Sequence, residues 1–80
     1  CAGPMVLGHL GLLDGLRATC YPCFEGELKG ATYTAQLVTV DGNVVTGKGP
    51  AAAFEYAFTL LSILKGEKVV SDLRKGMMFE

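Results

Sequence analysis

The sequence predicts an α/β fold, arranged as the C-terminal half of an open sheet flanked by helices. Three features carry that prediction. Two β-rich runs flank Asp41-Gly42, an apolar helical pattern runs between Pro50 and Gly66, and a glycine-spaced apolar segment follows a cysteine at position 1. Half of the 80 residues are hydrophobic and 19% are charged, so the chain is built for burial rather than disorder. Its length suits one small domain at most.

After Cys1, "GPMVLGHLGLLDG" predicts a short helix with Pro4 in its first turn, where a missing N–H costs nothing. Gly8 and Gly11 weaken this helix, and Asp14-Gly15 is expected to end it. "LRATCY", Leu16 to Tyr21, is a short strand candidate running into Pro22, and "FEGELKG" forms a helical turn or two. "TYTAQLVTV" and "NVVTG" around Asp41-Gly42 predict a hairpin closed by a type I′ turn. Pro50 then takes the first position of a long helix, with Gly66 just past its end.

On that helix Phe54, Ala57, Phe58, Leu61 and Leu64 form one apolar stripe, and Ala53, Tyr56, Leu60 and Ile63 form a second. Glu55, Thr59 and Ser62 leave only a narrow polar seam. A helix that is apolar nearly all round is covered by more than one neighbour. A monomer of this size has too little protein to do so, and the pattern calls for a partner subunit or a further part of the domain. Finally, "EKVVSDLRKGMMF" predicts a short amphipathic helix with Val69, Val70 and Leu73 inward, ending at Gly76.

Charge narrows the functional classes. Seven basic and eight acidic residues, neither clustered, do not make the basic stripe of a nucleic-acid binder. No apolar stretch approaches the ~18 residues of a membrane span, and no signal peptide is visible. Three cysteines are an odd number, which argues against a fully paired secreted framework and for a reducing cytoplasm.

The segment "CAGP" raises the chemistry. In α/β folds a helix opening on such a segment follows a buried strand, and the sharp turn between them lifts a nucleophile clear of the sheet. That strand would lie before residue 1. Residues 1–80 are therefore expected to be the C-terminal portion of a single domain whose N-terminal portion is absent from the chain. A thiol at a helix N-terminus sees the positive end of the dipole, which favours its thiolate. The N–H groups of Ala2 and Gly3 are placed to receive an oxyanion on an attacked carbonyl, or a sulfinate on an oxidised Cys1. A buried, inert Cys1 is the competing reading.

Together "CAGPMVLGHLGLLDGLRATCYP", "VDGNVVTGKGP" and "FEYAFTLLSILKG" resemble the C-terminal portion of the ThiJ/PfpI family, nearest its parkinsonism-associated deglycase branch. The resemblance covers essentially the whole chain. It implies a flavodoxin-like three-layer sandwich roughly twice this length, an ordinary domain size. It implies that Cys1 is the catalytic nucleophile of a glyoxalase or deglycase-type hydrolase or lyase. The substrates would be small reactive dicarbonyls or their adducts, with no cofactor or metal. It also implies a homodimer, which fits the two-striped helix. The family offers a second reading, an oxidative-stress sensor or chaperone-like dimer with a redox-reactive Cys1.

The departures from the family matter as much. The protease-like branch has histidine after the nucleophile where this chain has Ala2, so peptidase activity is disfavoured. Some members have histidine before the proline of "YP", where Tyr21 stands; tyrosine is a poor general base near neutral pH, and Tyr21 is expected to line the pocket instead. The family's pocket glutamate belongs to the absent portion, so no glutamate here takes its role. The resemblance also brings Gly49 and Pro50 to the pocket wall near Cys1.

"CYPC" carries the main rival. Cys20 and Cys23 have the spacing of a dithiol redox motif, after a strand and before a helical turn. The family normally has glycine at the second position. A resolving role for Cys20 or Cys23 toward oxidised Cys1 requires disulfide reach. Cys1, Cys20, Cys23 and His9 have the ligand count of a zinc site but lack its second paired knuckle, so a site without metal is expected. "GKGP" opens a helix, but without the spacing of a phosphate loop it reads as a tight strand-to-helix crossing. His9, about two turns beyond Cys1, reads as a surface or helix-end histidine.

Overall fold

The backbone around Gly11 stops the first helix early. The computed structural model, which describes residues 1–79, places α1 at Gly3–His9 with Pro4 in its first turn. Gly11 takes left-handed backbone at φ 77°. Its N–H donates to the Gly8 carbonyl at 3.1 Å, and the Leu12 N–H to Leu7 at 3.0 Å. Such closure satisfies the last helical carbonyls and favours glycine. The helix thus ends about a turn before the expected Asp14-Gly15, and the following turn carries Leu13 into the core.

β1 (Arg17–Ala18) pairs in parallel with β2 (Thr32–Tyr33), Arg17 facing Thr32 and Ala18 facing Tyr33. A 3-10 turn at Glu25–Glu27 lies between them, where a helical turn was expected. β1 is shorter than the Leu16–Tyr21 run because Thr19 leaves the ladder: its N–H donates to Thr46 Oγ1 at 3.0 Å.

β3 (Val38–Asp41) and β4 (Val44–Gly47) form the expected antiparallel hairpin, Asp41 facing Val44. Its two-residue loop is Gly42-Asn43 rather than Asp41-Gly42. Gly42 alone of the two has positive φ, at 59°. That is the backbone sign pattern of a type II′ turn, with glycine first, in place of type I′. The "TYT" segment also parts from the hairpin to pair with β1, since Ala35 at φ 57° breaks the run.

A 3-10 turn at Pro50–Ala52 leads into α2 (Ala53–Lys65), so Pro50 opens the tight crossing and not the α-helix itself. Gly66 then separates α2 from α3 (Glu67–Gly76).

The buried cluster is small: Leu13, Ala18, Cys20 and Leu28, with Leu7, Tyr33 and Val44 packed around it. Ala18 and Cys20 share a face of the chain by strand alternation. Thr19 faces the other way, its hydroxyl donating to the Gln36 carbonyl at 2.7 Å. Thr34 and Thr39 are bonded hydroxyl to hydroxyl at 2.6 Å. Arg17 completes the seam between β1 and the hairpin. Its N–H donates to Asp41 Oδ2 at 2.8 Å and its guanidinium to the Val40 carbonyl at 2.9 Å.

α2 stays largely uncovered in this chain. Phe58 is its one buried residue, while Phe54 is 54%, Ile63 58% and Leu64 75% exposed. α3 differs from expectation: Val70 is inward, but Val69 and Leu73 are both exposed. The reason lies in what α3 packs against. Arg74 reaches Glu55 Oε1 at 3.1 Å and sits 4.9 Å from the Phe58 ring centroid, and Phe79 closes on Phe54 and Phe58 at 5.1 and 5.2 Å. These contacts turn the Arg74 side of α3 toward α2 and leave Val69 and Leu73 outside.

Gly8 marks the closest approach. A Cβ there would meet the Glu27 carbonyl oxygen at 2.4 Å and Leu28 Cα at 2.9 Å, both backbone atoms. Gly8→Ala in the protein that carries this chain is therefore expected to destabilise it by about 1–3 kcal/mol, the range for overpacking. Denaturant unfolding measures this, and an unchanged midpoint would refute the packing argument.

Candidate active site

Cys1 is held by its main chain. Its nitrogen donates to the Gly47 carbonyl at 2.7 Å, at the end of β4. Its carbonyl accepts from the Tyr21 N–H at 2.9 Å, just past β1. The residue is thus placed between two strand ends, with α1 starting two positions later. The thiol is free and exposed.

Cys1 opens into a cavity of about 410 Å³. Gly3 and Leu7 from α1, Gly47 from β4, Gly49 from the crossing and Tyr56 from α2 contribute to its walls. α1 has no side-chain cap: Ala2 stands at the N-cap in helical backbone, with its carbonyl accepting from the Met5 N–H at 3.1 Å. The first N–H groups of a helix have no partners within it. Here no capping side chain competes for them, and Pro4 contributes none.

The structure therefore brings Cys1, Gly3 and Gly49 to one cavity. Tyr21 is half-exposed beside it; a Cβ on Gly49 would lie 3.6 Å from its ring. Pro50 is exposed at the start of the 3-10 turn and is not one of the residues lining the cavity. Sequence reasoning overlooked Gly47 and Tyr56. The Tyr56 ring packs over Gly47, where a Cβ would meet it at 3.2 Å. The available signal was the shared face of Ala53 and Tyr56 three residues apart, which placed Tyr56 in an apolar stripe although its ring carries a hydroxyl.

Cys20 and Cys23 have opposite surroundings. Cys20 is fully buried, and its thiol donates to the Tyr21 carbonyl at 3.4 Å. Burial, helped by the Glu25 carboxylate, pushes this thiol above its ordinary range. Cys23 is exposed and free. His9 lies at the end of α1 with its ring on Glu27 Oε2 at 2.5 Å, and that hydrogen bond holds the Glu27 carboxyl below its usual range. Among the described residues no group of three His, Cys, Asp or Glu side chains is arranged to hold a metal, so the four zinc-ligand candidates do not assemble. A wider groove of about 540 Å³ runs between α2 and α3, where Arg74, Glu55 and Phe58 line it. Among the described residues no helix is long and apolar enough to cross a membrane.

Residues 1–63 match the model of the DJ-1/PfpI family. The chain belongs to that family. Protein dj-1beta of Drosophila melanogaster is 34% identical over 80 residues, which cover 98% of this chain and 43% of the relative. The crystal structure of Drosophila DJ-1beta superposes with a TM-score of 0.90 at 34% identity, over 98% of this chain and 43% of the other. The chain's fold is accordingly the flavodoxin-like α/β fold of DJ-1/PfpI proteins, of which it forms a portion. The glutathione-independent glyoxalase DJR-1.2 of Caenorhabditis elegans is 34% identical over 96% of this chain and 42% of its own length. Isonitrile hydratase of Pseudomonas putida is 41% identical over 82% of this chain and 30% of its own length. The chain thus spans less than half the length of these relatives.

The DJ-1/PfpI chain has an unusual backbone at Cys23, a non-glycine residue at φ 85°. Left-handed backbone costs an L-residue about 1–2 kcal/mol, which accounts physically for a glycine preference at this position. Cys23→Gly is expected to stabilise the protein by about 0.5–1 kcal/mol once glycine's own entropy is subtracted. Thermal unfolding reads this out; a lowered Tm would contradict it.

Proposed function

We propose that this chain carries the nucleophile and one wall of the active site of a cysteine-dependent enzyme of glyoxalase or deglycase type. Its substrates are small reactive dicarbonyls or their adducts. The observation that carries the reading is the exposed, free Cys1 lining the cavity beside the uncapped start of α1. The glyoxalase name of the Caenorhabditis relative supports the substrate class.

In this reading the Cys1 thiolate adds to an aldehyde carbon. The oxyanion that forms accepts hydrogen bonds from the Ala2 and Gly3 N–H groups, donors fixed before the charge develops. A hemithioacetal results. Moving hydrogen from its carbon to the neighbouring carbonyl carbon is internal oxidation and reduction, so no external oxidant is needed. Water then releases the hydroxy acid and restores the thiol. Gly49 forms part of the wall, and Tyr21 stands beside it. The base for the hydrogen shift comes from the N-terminal portion of the same domain, which completes the pocket.

The exposed apolar stripe on α2 supports burial against that portion and against the second subunit of a homodimer. A cytoplasmic setting with no nucleic-acid or membrane partner accompanies this reading. A dithiol module using Cys20 and Cys23 is less well supported, because the burial of Cys20 keeps it from solution partners.

Conversion of methylglyoxal to lactate by the whole protein tests the proposal. Cys1→Ala is expected to lower kcat/KM by at least about a thousandfold, as loss of a nucleophile does. Turnover that survives Cys1→Ala would refute the nucleophile assignment. A wild-type protein without turnover but with Cys1 readily oxidised would favour the redox-sensor reading.

A further inference from the structure

The Tyr21 hydrogen bond to Cys1 has a second consequence, because it fixes Cys20 as well. In a trans peptide the N–H of Tyr21 lies on the same side as the Cα of Cys20. Standard peptide dimensions with a straight 2.9 Å bond then put the Cα atoms of Cys20 and Cys1 about 6 Å apart or less. That bound falls below the upper limit of the Cα separations that disulfides span, roughly 4.4–6.8 Å. The side chains also share surroundings. Leu7 of α1 packs on the cluster containing Cys20 and lines the cavity into which Cys1 opens. Cys1 is exposed and Cys20 fully buried, so a solution oxidant meets Cys1 first.

We infer that Cys20 is the resolving thiol for Cys1, and that the pair forms a reversible disulfide when a hydroperoxide reaches the site. This rests on the reading of Cys1 as the reactive thiol. In the first step Cys1 Sγ attacks the peroxide O–O bond, keeps one oxygen as a sulfenic acid and releases the other as water from hydrogen peroxide, or as an alcohol from an alkyl hydroperoxide. In the second, Cys20 Sγ attacks the Cys1 sulfur. The S–O bond breaks, and the departing hydroxide takes the Cys20 proton as water. Two thiols lose two electrons in all to one hydroperoxide. The disulfide blocks the nucleophile while shielding it from the irreversible sulfinic and sulfonic acids. Cys23 has no part in it.

The test is mass-spectrometric mapping of the whole protein after brief exposure to stoichiometric hydrogen peroxide, without reductant. A Cys1–Cys20 linked peptide is expected in wild type and in Cys23→Ser, cleared by dithiothreitol. In Cys20→Ser and Cys20→Ala, Cys1 is expected to reach the sulfinic acid at least tenfold faster than in wild type. Two variants are used because one substitution of a buried residue can disturb folding, and the wild-type and Cys23→Ser peptides do not depend on either. A Cys20–Cys23 link, or sulfinic acid forming equally fast with and without Cys20, would overturn the resolving role and leave the reactivity of Cys1 standing. A Cys1 that neither peroxide nor iodoacetamide modifies would overturn the reading of the site itself and the disulfide with it.

Discussion

Two main-chain hydrogen bonds at Cys1, one to the Gly47 carbonyl and one from the Tyr21 N–H, are the constraint on which the site depends. They join the end of β4, the end of β1 and the start of α1 at a single residue. Backbone bonds of this kind position a thiol without depending on its own side-chain contacts, so the sulfur stays open to the cavity. The same two bonds bring Gly47 and Tyr21 beside Cys1, and through Tyr21 they bring the backbone of Cys20. One junction therefore sets both the catalytic geometry and the redox geometry proposed for the chain.

The junction is kept rigid by threonines rather than by a large apolar core. Thr19, Thr39 and Thr46 are all buried, and among the described residues no buried side-chain nitrogen or oxygen lacks a partner. An unpaired buried hydroxyl would cost about 1–3 kcal/mol, so a seam of paired ones specifies a register more sharply than interchangeable apolar contacts do. Strand alternation then sorts the roles along β1 and its extension. Ala18 and Cys20 face the apolar cluster, and Thr19 ties β1 to the hairpin.

The exposed faces of α2 complement this picture. A helix with Phe54, Ile63 and Leu64 open to solvent has the composition of a buried element, and the chain spans less than half the length of its DJ-1/PfpI relatives. The cavity at Cys1 is walled in this chain by α1, β4, the crossing and α2. The nucleophile, oxyanion donors and resolving thiol proposed above lie in this chain, while the hydrogen-shift base of the proposed mechanism does not.

Local chemistry in the sequence was sufficient for the α/β class, the hairpin, the long helix ending at Gly66 and the singling out of Cys1. Each follows from short-range signals: turn glycines, apolar periodicity, and a thiol placed at a helix start. Element ends were less legible. The early stop of α1 at His9 and the Gly42-Asn43 loop depend on φ values that composition leaves open. Pairing could not be read at all. That Thr32-Tyr33 joins β1 instead of the hairpin, that Tyr56 reaches Gly47, and that the Tyr21 N–H bonds the Cys1 carbonyl are contacts between distant segments. They are decided only when hydrogen bonds and packing across the whole chain are satisfied together. The sequence alone determined which residue is the nucleophile candidate, and the tertiary structure decided what stands around it.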